Sequence, residues 1–188
     1  MQSKSKIILG IDPGTITMGY GLIEVTGPNA RFIDMGALKM HSSLDAYIRL
    51  RKIQEKVLEV ISIHQPQIFA IEAPFYGKNV QSMLKLGRAQ GVAIAAAMQA
   101  GLEVIEYSPK RIKQSITGNG NAAKDQVMKM LHSLLQIEHI HDTYDATDAL
   151  AAAMCHHIEN RSPLAKIKGK KQAVNWEEFI RLNPGKVL

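Results

Sequence analysis

Two short apolar runs, Lys6–Asp12 and Ile68–Glu72, each end in a carboxylate, and this pair constrains the fold more than any other feature of the chain. Runs this short, bounded by turn or helix signals, read as buried strands. Pro13-Gly14 turns the chain after the first of them. Met18–Val25 reads as a second strand, with Gly19 and Gly21 on one face, where bare positions admit another backbone or a ligand. After Gly27-Pro28, Arg31–Met40 reads as a third, so the first three strands form an antiparallel meander. The period then changes. Leu50, Ile53, Val57 and Ile61 recur at helical spacing between a capping box of Ser42 and Asp45 and a stop at Pro66. The second acid-ending strand is followed by a helix over about Val80–Ala100 and a strand over Glu103–Tyr107. Helices are then predicted over about Lys110–Ile116, Ala122–Leu135 (with Val127, Leu131, Leu134 and Leu135 on one face) and Asp145–Ile158. The order βββαβαβααα predicts an α/β fold, a mixed five-stranded sheet with helices on both faces. Right-handed crossovers bring the ends of strands one and four together.

Composition narrows the class. The 188 residues suit one domain, and 46% hydrophobic with 21% charged residues is globular, not disordered. The single cysteine, Cys155, cannot form an internal disulfide and fits a reducing compartment. No run reaches the roughly 20 apolar residues of a membrane span, and no signal-peptide core opens the chain. A cytoplasmic protein without a membrane partner is expected. Its net charge of +6 is unevenly placed. Residues 1–160 carry 16 Lys/Arg against 15 Asp/Glu, a net of +1; residues 161–188 carry 7 against 2, a net of +5. The reading is therefore a domain over 1–160 and a basic C-terminal extension over 161–188.

Four carboxylates stand out: Asp12, Glu72, Asp145 and Asp148. The last two are spaced i, i+3 and share a helix face, and the small residues after them, Ala149–Ala153, suit a helix lying tightly on a sheet. Isolated buried carboxylates are costly. A cluster of them suits divalent cations, since Mg²⁺ takes hard oxygen ligands. Two such ions about 4 Å apart can activate water and stabilise a leaving oxygen in phosphodiester hydrolysis. Plainer readings exist. Asp12 suits a turn opener, and Asp142 suits an N-cap with Asp145 as its partner. Neither accounts for Asp148 or Glu72.

The motifs Ile8–Gly14 (ILGIDPG) with Gly19-Tyr-Gly21, Ile71-Glu72 with Phe75 and Lys78-Asn79, Leu84–Ala93 and Asp145–Leu150 closely resemble the RuvC family of Holliday junction resolvases, in order from about residue 6 to 158. The resemblance implies an RNase H-like fold, a homodimer, and Mg²⁺-dependent nicking of four-way DNA junctions by symmetric cuts in two strands of like polarity, in recombination and repair. It implies about two Mg²⁺ per subunit, with Mn²⁺ as a substitute, held by Asp12, Glu72, Asp145 and Asp148. It also places a wedging phenylalanine at Phe75, DNA-contacting lysines at Lys113 and Lys124, and backbone contacts at Lys78, Lys85 and Arg88. It puts the helix carrying Gly87, Gly91 and Ala95 at a dimer interface, although that stripe alone also suits helix packing within one chain. A RuvA–RuvB branch-migration complex is the partner it suggests. Pro74 departs from the family's usual pattern.

From the residues themselves, Phe75 suits stacking on a base or plugging the core. The Gly118–Asn121 loop leads into a helix start that favours phosphate, but it lacks Walker spacing and is not a nucleotide site. Cys155-His156-His157 fails metal spacing. Cys155 reads as core, the histidines as helix-terminal, and the methionines as core filler. Asp-x-Gly-Thr also opens sugar-kinase and actin-like ATPases, but two such domains need far more than 188 residues. A catalytically silent junction binder and an RNA-directed nuclease of the same fold remain as alternatives. Deleting residues 162–188 is expected to weaken DNA affinity and flatten its salt dependence while leaving cleavage intact. An unchanged salt slope in the truncated protein refutes this.

Overall fold

The computed structural model describes residues 5–74, 79–137 and 143–161. Its strands are β1 (Lys6–Asp12), β2 (Thr17–Thr26), β3 (Asn29–Lys39), β4 (Ile68–Glu72) and β5 (Glu103–Tyr107). Its helices are α1 (Ala46–His64), α2 (Val80–Gln99), α3 (Pro109–Thr117), α4 (Lys124–Leu135) and α5 (Tyr144–Arg161). The chain up to Ile158 groups as one compact unit. The expected Asp142 cap and the extension over 162–188 lie outside the described residues.

The five strands form one sheet in the order β3-β2-β1-β4-β5. The meander is antiparallel, and β1, β4 and β5 run parallel through the helical crossovers. Strand alternation divides the core in two. Leu9, Ile11, Phe69 and Ile71 face α1 and α2, meeting Ile53, Val57, Ala93 and Ala97. Ile8, Ile68 and Ala70 face the other way, meeting Ile112, Val127, Leu131 and the alanines of α5.

Helix α5 is buried nearly all round, from Ala146 to His157. It reaches the sheet because the sheet is bare beneath it. A Cβ built on Gly10 would stand 2.0 Å from the Ala149 carbonyl oxygen, one on Gly19 1.9 Å from that of Asp145, and one on Gly21 2.6 Å from Leu150 Cα. The expectation that Gly19 and Gly21 admit another backbone is met, and Gly10, which pairs with Gly21, completes the floor.

Several local expectations are corrected. Asp45, not Ser42, caps α1: its Oδ1 accepts from the backbone N–H of Tyr47 at 2.8 Å. The helix starts a turn later than the capping box implied, so Ser42 lies outside it. Gln65 in the left-handed region ends that helix just before Pro66. Leu134 is 43% exposed, because it lies off the stripe of Val127, Leu131 and Leu135. His156 and His157 are buried, not helix-terminal, because α5 continues to Arg161. Tyr107 Oη lies 2.9 Å from His156 Nδ1, and His157 Nε2 lies 3.2 Å from the Pro28 carbonyl oxygen. Cys155 is core, as are Met18, Met35, Met40 and Met154, but Met98 is exposed. Gly87 and Gly91 have nothing within 4 Å of a built Cβ, so the stripe on α2 packs against no element described here.

Gly10→Ala is expected to destabilise the fold by more than the 1–3 kcal/mol typical of overpacking, about 3 kcal/mol or above, because its methyl group meets backbone rather than a movable side chain. A denaturant midpoint within error of wild type would contradict the contact.

Candidate active site

Ile11 pairs with Ile71 across the parallel β1–β4 ladder, so Asp12 and Glu72 leave the sheet side by side at one end. Two-residue alternation places Asp12 on the face of Gly10, and Glu72 on the face of Ala70; both face α5. Gly19 pairs with Asp12 and carries the backbone of Asp145 upon it. Asp148 lies one turn further along the same face of α5. The four acids expected from the sequence therefore meet where two strands and one helix converge.

Their electrostatics are those of a crowded site. Burial, then the charges of Glu72, Asp148 and Asp145, push the Asp12 carboxyl up to about 8, against the pull of Lys124. Burial and Asp148 push Glu72 up to about 7, opposed by Lys124 and Lys113. Lys124 opens α4, and its ammonium donates to Asp148 Oδ2 at 2.5 Å. Burial alone would lower the Lys124 ammonium, but the hydrogen bond to Asp148 and the charges of Asp148, Asp12 and Asp145 hold it above its ordinary value.

Such a set suits a divalent cation in its donor chemistry. Carboxylates are the hard oxygen ligands that Mg²⁺ takes, and a dication offsets both the burial and the like charge that raise Asp12 and Glu72. Among the described residues, no three of these side chains gather into a ready-made metal cage. The fit is one of donor type and charge.

Lys113 and Lys124 lie beside the acids. Lys85 and Arg88, expected as backbone contacts, stand exposed on α2, beside α1. Phe75 and Lys78 lie outside the described residues. Two supporting residues escaped the sequence reading. Tyr144 donates to Asp125 at 2.9 Å and places its ring 5.8 Å from the Lys124 ammonium, helping to aim that cation. An aromatic directly before Asp145 was the available signal. Gln90 is buried, and its amide donates to the Glu72 carbonyl oxygen at 3.4 Å, bracing the end of β4. A lone glutamine within an apolar helix face was the hint.

Residues 8–156 match the family model described as crossover junction endodeoxyribonuclease RuvC. The protein of that description from Porphyromonas gingivalis is 50% identical over 189 residues, covering 100% of both chains. Its counterpart from Christiangramia forsetii is 50% identical over 182 residues, 97% of this chain and 93% of its own. Among solved structures, Thermus thermophilus RuvC in complex with a Holliday junction substrate aligns with a TM-score of 0.78 at 32% identity, covering 83% of this chain and 95% of that one. The RNase H-like architecture expected from the sequence is the one observed.

The raised carboxyls carry a pH signature. Between the ordinary carboxylate range and their folded values, the folded chain holds more protons than the unfolded one. Their contribution to stability is therefore present at low pH and lost as pH rises through about 7 to 8. In EDTA, Asp12→Asn is expected to raise Tm at pH 8.5 and to raise it less at pH 5, by about 2–4 °C per kcal/mol relieved. Thermal melts giving equal shifts at both pH values would contradict the burial and repulsion assigned to Asp12.

Proposed function

The chain belongs to the RuvC family of crossover junction endodeoxyribonucleases, and on that premise we propose how its own residues carry out the reaction. It is a nuclease acting in recombination and repair, and a four-way DNA junction is its substrate. The observation that carries the mechanism is the convergence of Asp12, Glu72, Asp145 and Asp148 at the meeting of β1, β4 and α5.

These four acids hold two Mg²⁺ per subunit, with Mn²⁺ as a substitute. When bound, the metal supplies Lewis-acid charge and a water acidic enough to act as a nucleophile near neutral pH. The acids fix the position of that charge at one end of a rigid sheet. Lys113 and Lys124, which already act on Glu72, bring positive charge to the edge of the site and hold the scissile strand by its phosphates. Tyr144 restricts the Lys124 side chain. Phe75, three residues after the end of β4 in sequence, stacks on a base at the branch point. Lys78, Lys85 and Arg88 hold the backbone of the arms.

Cutting two strands of like polarity symmetrically requires two such sites related by a two-fold axis. The exposed face of α2 supports a homodimer. Val80 and Met98 are 67% and 64% exposed, Leu84 stands between them, and Gly87 and Gly91 leave room for close approach. A RuvA–RuvB branch-migration complex is the proposed partner, the nuclease domain spans 1–160, and the basic extension follows it. No helix among the described residues is long and apolar enough to cross a membrane.

A nicking assay on a synthetic four-way junction tests the reading. Paired nicks are expected in Mg²⁺ and none in EDTA. Asp148→Asn is expected to lower the rate by more than about 100-fold, beyond the 10–100-fold cost of losing an outer-sphere partner, while junction binding persists. Full cleavage by this variant would overturn the assignment of the acids. Binding without any Mg²⁺-dependent nick would make the protein a silent junction binder.

A further inference from the structure

On the face of the sheet opposite the acids, but at the same end of the strands, a small open pocket lies between α1 and α2. Leu50 and Ile53 help form its apolar floor, and Thr15 of the β1–β2 turn closes one side. Around it stand Arg49, Lys85 and Arg88, with Tyr47 beside them. Tyr47 is 73% exposed, so its ring is open to a ligand beside the three cations.

The cations are uncompensated. Surface pairs elsewhere join Arg31 to Glu24, Arg51 to Glu55 and Lys56 to Glu59. Among the described residues, none of Arg49, Lys85 and Arg88 has a side-chain ion pair or hydrogen bond. Arg49 is the telling one. Its Nε–H is buried and donates to no group among the described residues, although a buried donor left unmade costs about 1–3 kcal/mol. Three positive side chains converging on one pocket, one with an unspent buried donor, call for an anion. An apolar floor with an exposed aromatic beside it suits the sugar edge of a nucleotide strand more than a free inorganic ion.

We propose that this pocket is a second seat for a DNA strand, holding one phosphate of a junction arm on the α1–α2 face. Arg49 is the innermost contact, Lys85 and Arg88 form the rim, and Tyr47 lies against the sugar. The inference rests on the junction reading above and adds Arg49, Tyr47 and Thr15 to it. It gives Lys85 and Arg88 a location remote from the acids, so an arm that leaves the cleavage site can wrap the edge of the sheet. Arginine suits such a seat because its planar fork grips phosphate oxygens two at a time.

Binding of a four-way junction in EDTA, measured across a salt series, tests this. Each lost phosphate contact lowers the slope of log K against log salt by about 0.9. Arg49→Gln is expected to lower the slope by about that amount and to weaken binding several-fold; Arg49→Lys keeps the slope. A wild-type slope in folded Arg49→Gln protein overturns the proposal. Should that variant not fold, arginine modification of the wild-type protein, read by mass spectrometry, replaces it. Protection of Arg49 by junction DNA supports the seat, and modification at the same rate with and without DNA overturns it. Wild-type protein that nicks the junction while Arg49 tests negative refutes this inference alone. Wild-type protein that neither binds nor nicks refutes the junction reading on which it stands.

Discussion

The contact between the backbone of α5 and the bare floor of Gly10, Gly19 and Gly21 decides the rest of the structure. Side chains of ordinary size at these positions would hold a helix off the sheet by several ångströms. Here the Asp145 and Ala149 carbonyl oxygens occupy the space that Cβ atoms would fill. A helix seated this closely cannot slide along its axis or rotate without collision, so the direction in which Asp145 and Asp148 project is fixed by steric exclusion. The alanine-rich sequence of α5 is the complementary half of the same contact: small residues let its backbone come down, and the burial of nearly every residue from Ala146 onward holds it there.

That placement creates the site's electrostatic tension. Four carboxylates are gathered in one corner, where burial and then neighbouring negative charge disfavour the ionisation of Asp12 and Glu72, Asp12 the more. Lys124 offsets part of this, and does so from a helix start whose position is set by α3 and the loop after it. The β1–β4 ladder, the seat of α5 and the entry of α4 thus have to agree within ångströms for the charge balance to hold. The near-neutral body, at +1, still separates its charge, with an acid corner on one face and Arg49, Lys85 and Arg88 on the other. A polyanion bound to such a body meets attraction away from the acids, and attraction at the acids only once positive charge is bound there.

Much of the fold was legible in residue order. Apolar runs too short for helices, Pro-Gly punctuation and the later switch to helical spacing fix the strands, because period and turn chemistry are local properties. Asp12 and Glu72 were legible as a pair because parallel neighbouring strands that both end in acids must present them together. The errors concern where elements begin, end and face. Asp45 replaces Ser42 as the cap of α1 through a local hydrogen bond, Leu134 lies off the buried stripe, and His156 and His157 are buried because α5 runs on to Arg161. His156 finds its partner on β5 and His157 on the turn before β3, contacts between residues far apart in sequence.

By itself the sequence determined the class of sheet, the identity of the four acids and, through the spacing of its glycines, that something must lie close against the first two strands. Only the tertiary structure decided what that something is, that Gly10 belongs to the same floor, and which cations reach the acids. Lys113 and Lys124 do, while Lys85 and Arg88 face a pocket shared with Arg49 on the opposite side. The reason is physical. Periodicity fixes which face of an element a residue occupies, but charge interactions and steric fit depend on the separation of elements, and that is set by how small the residues between them are.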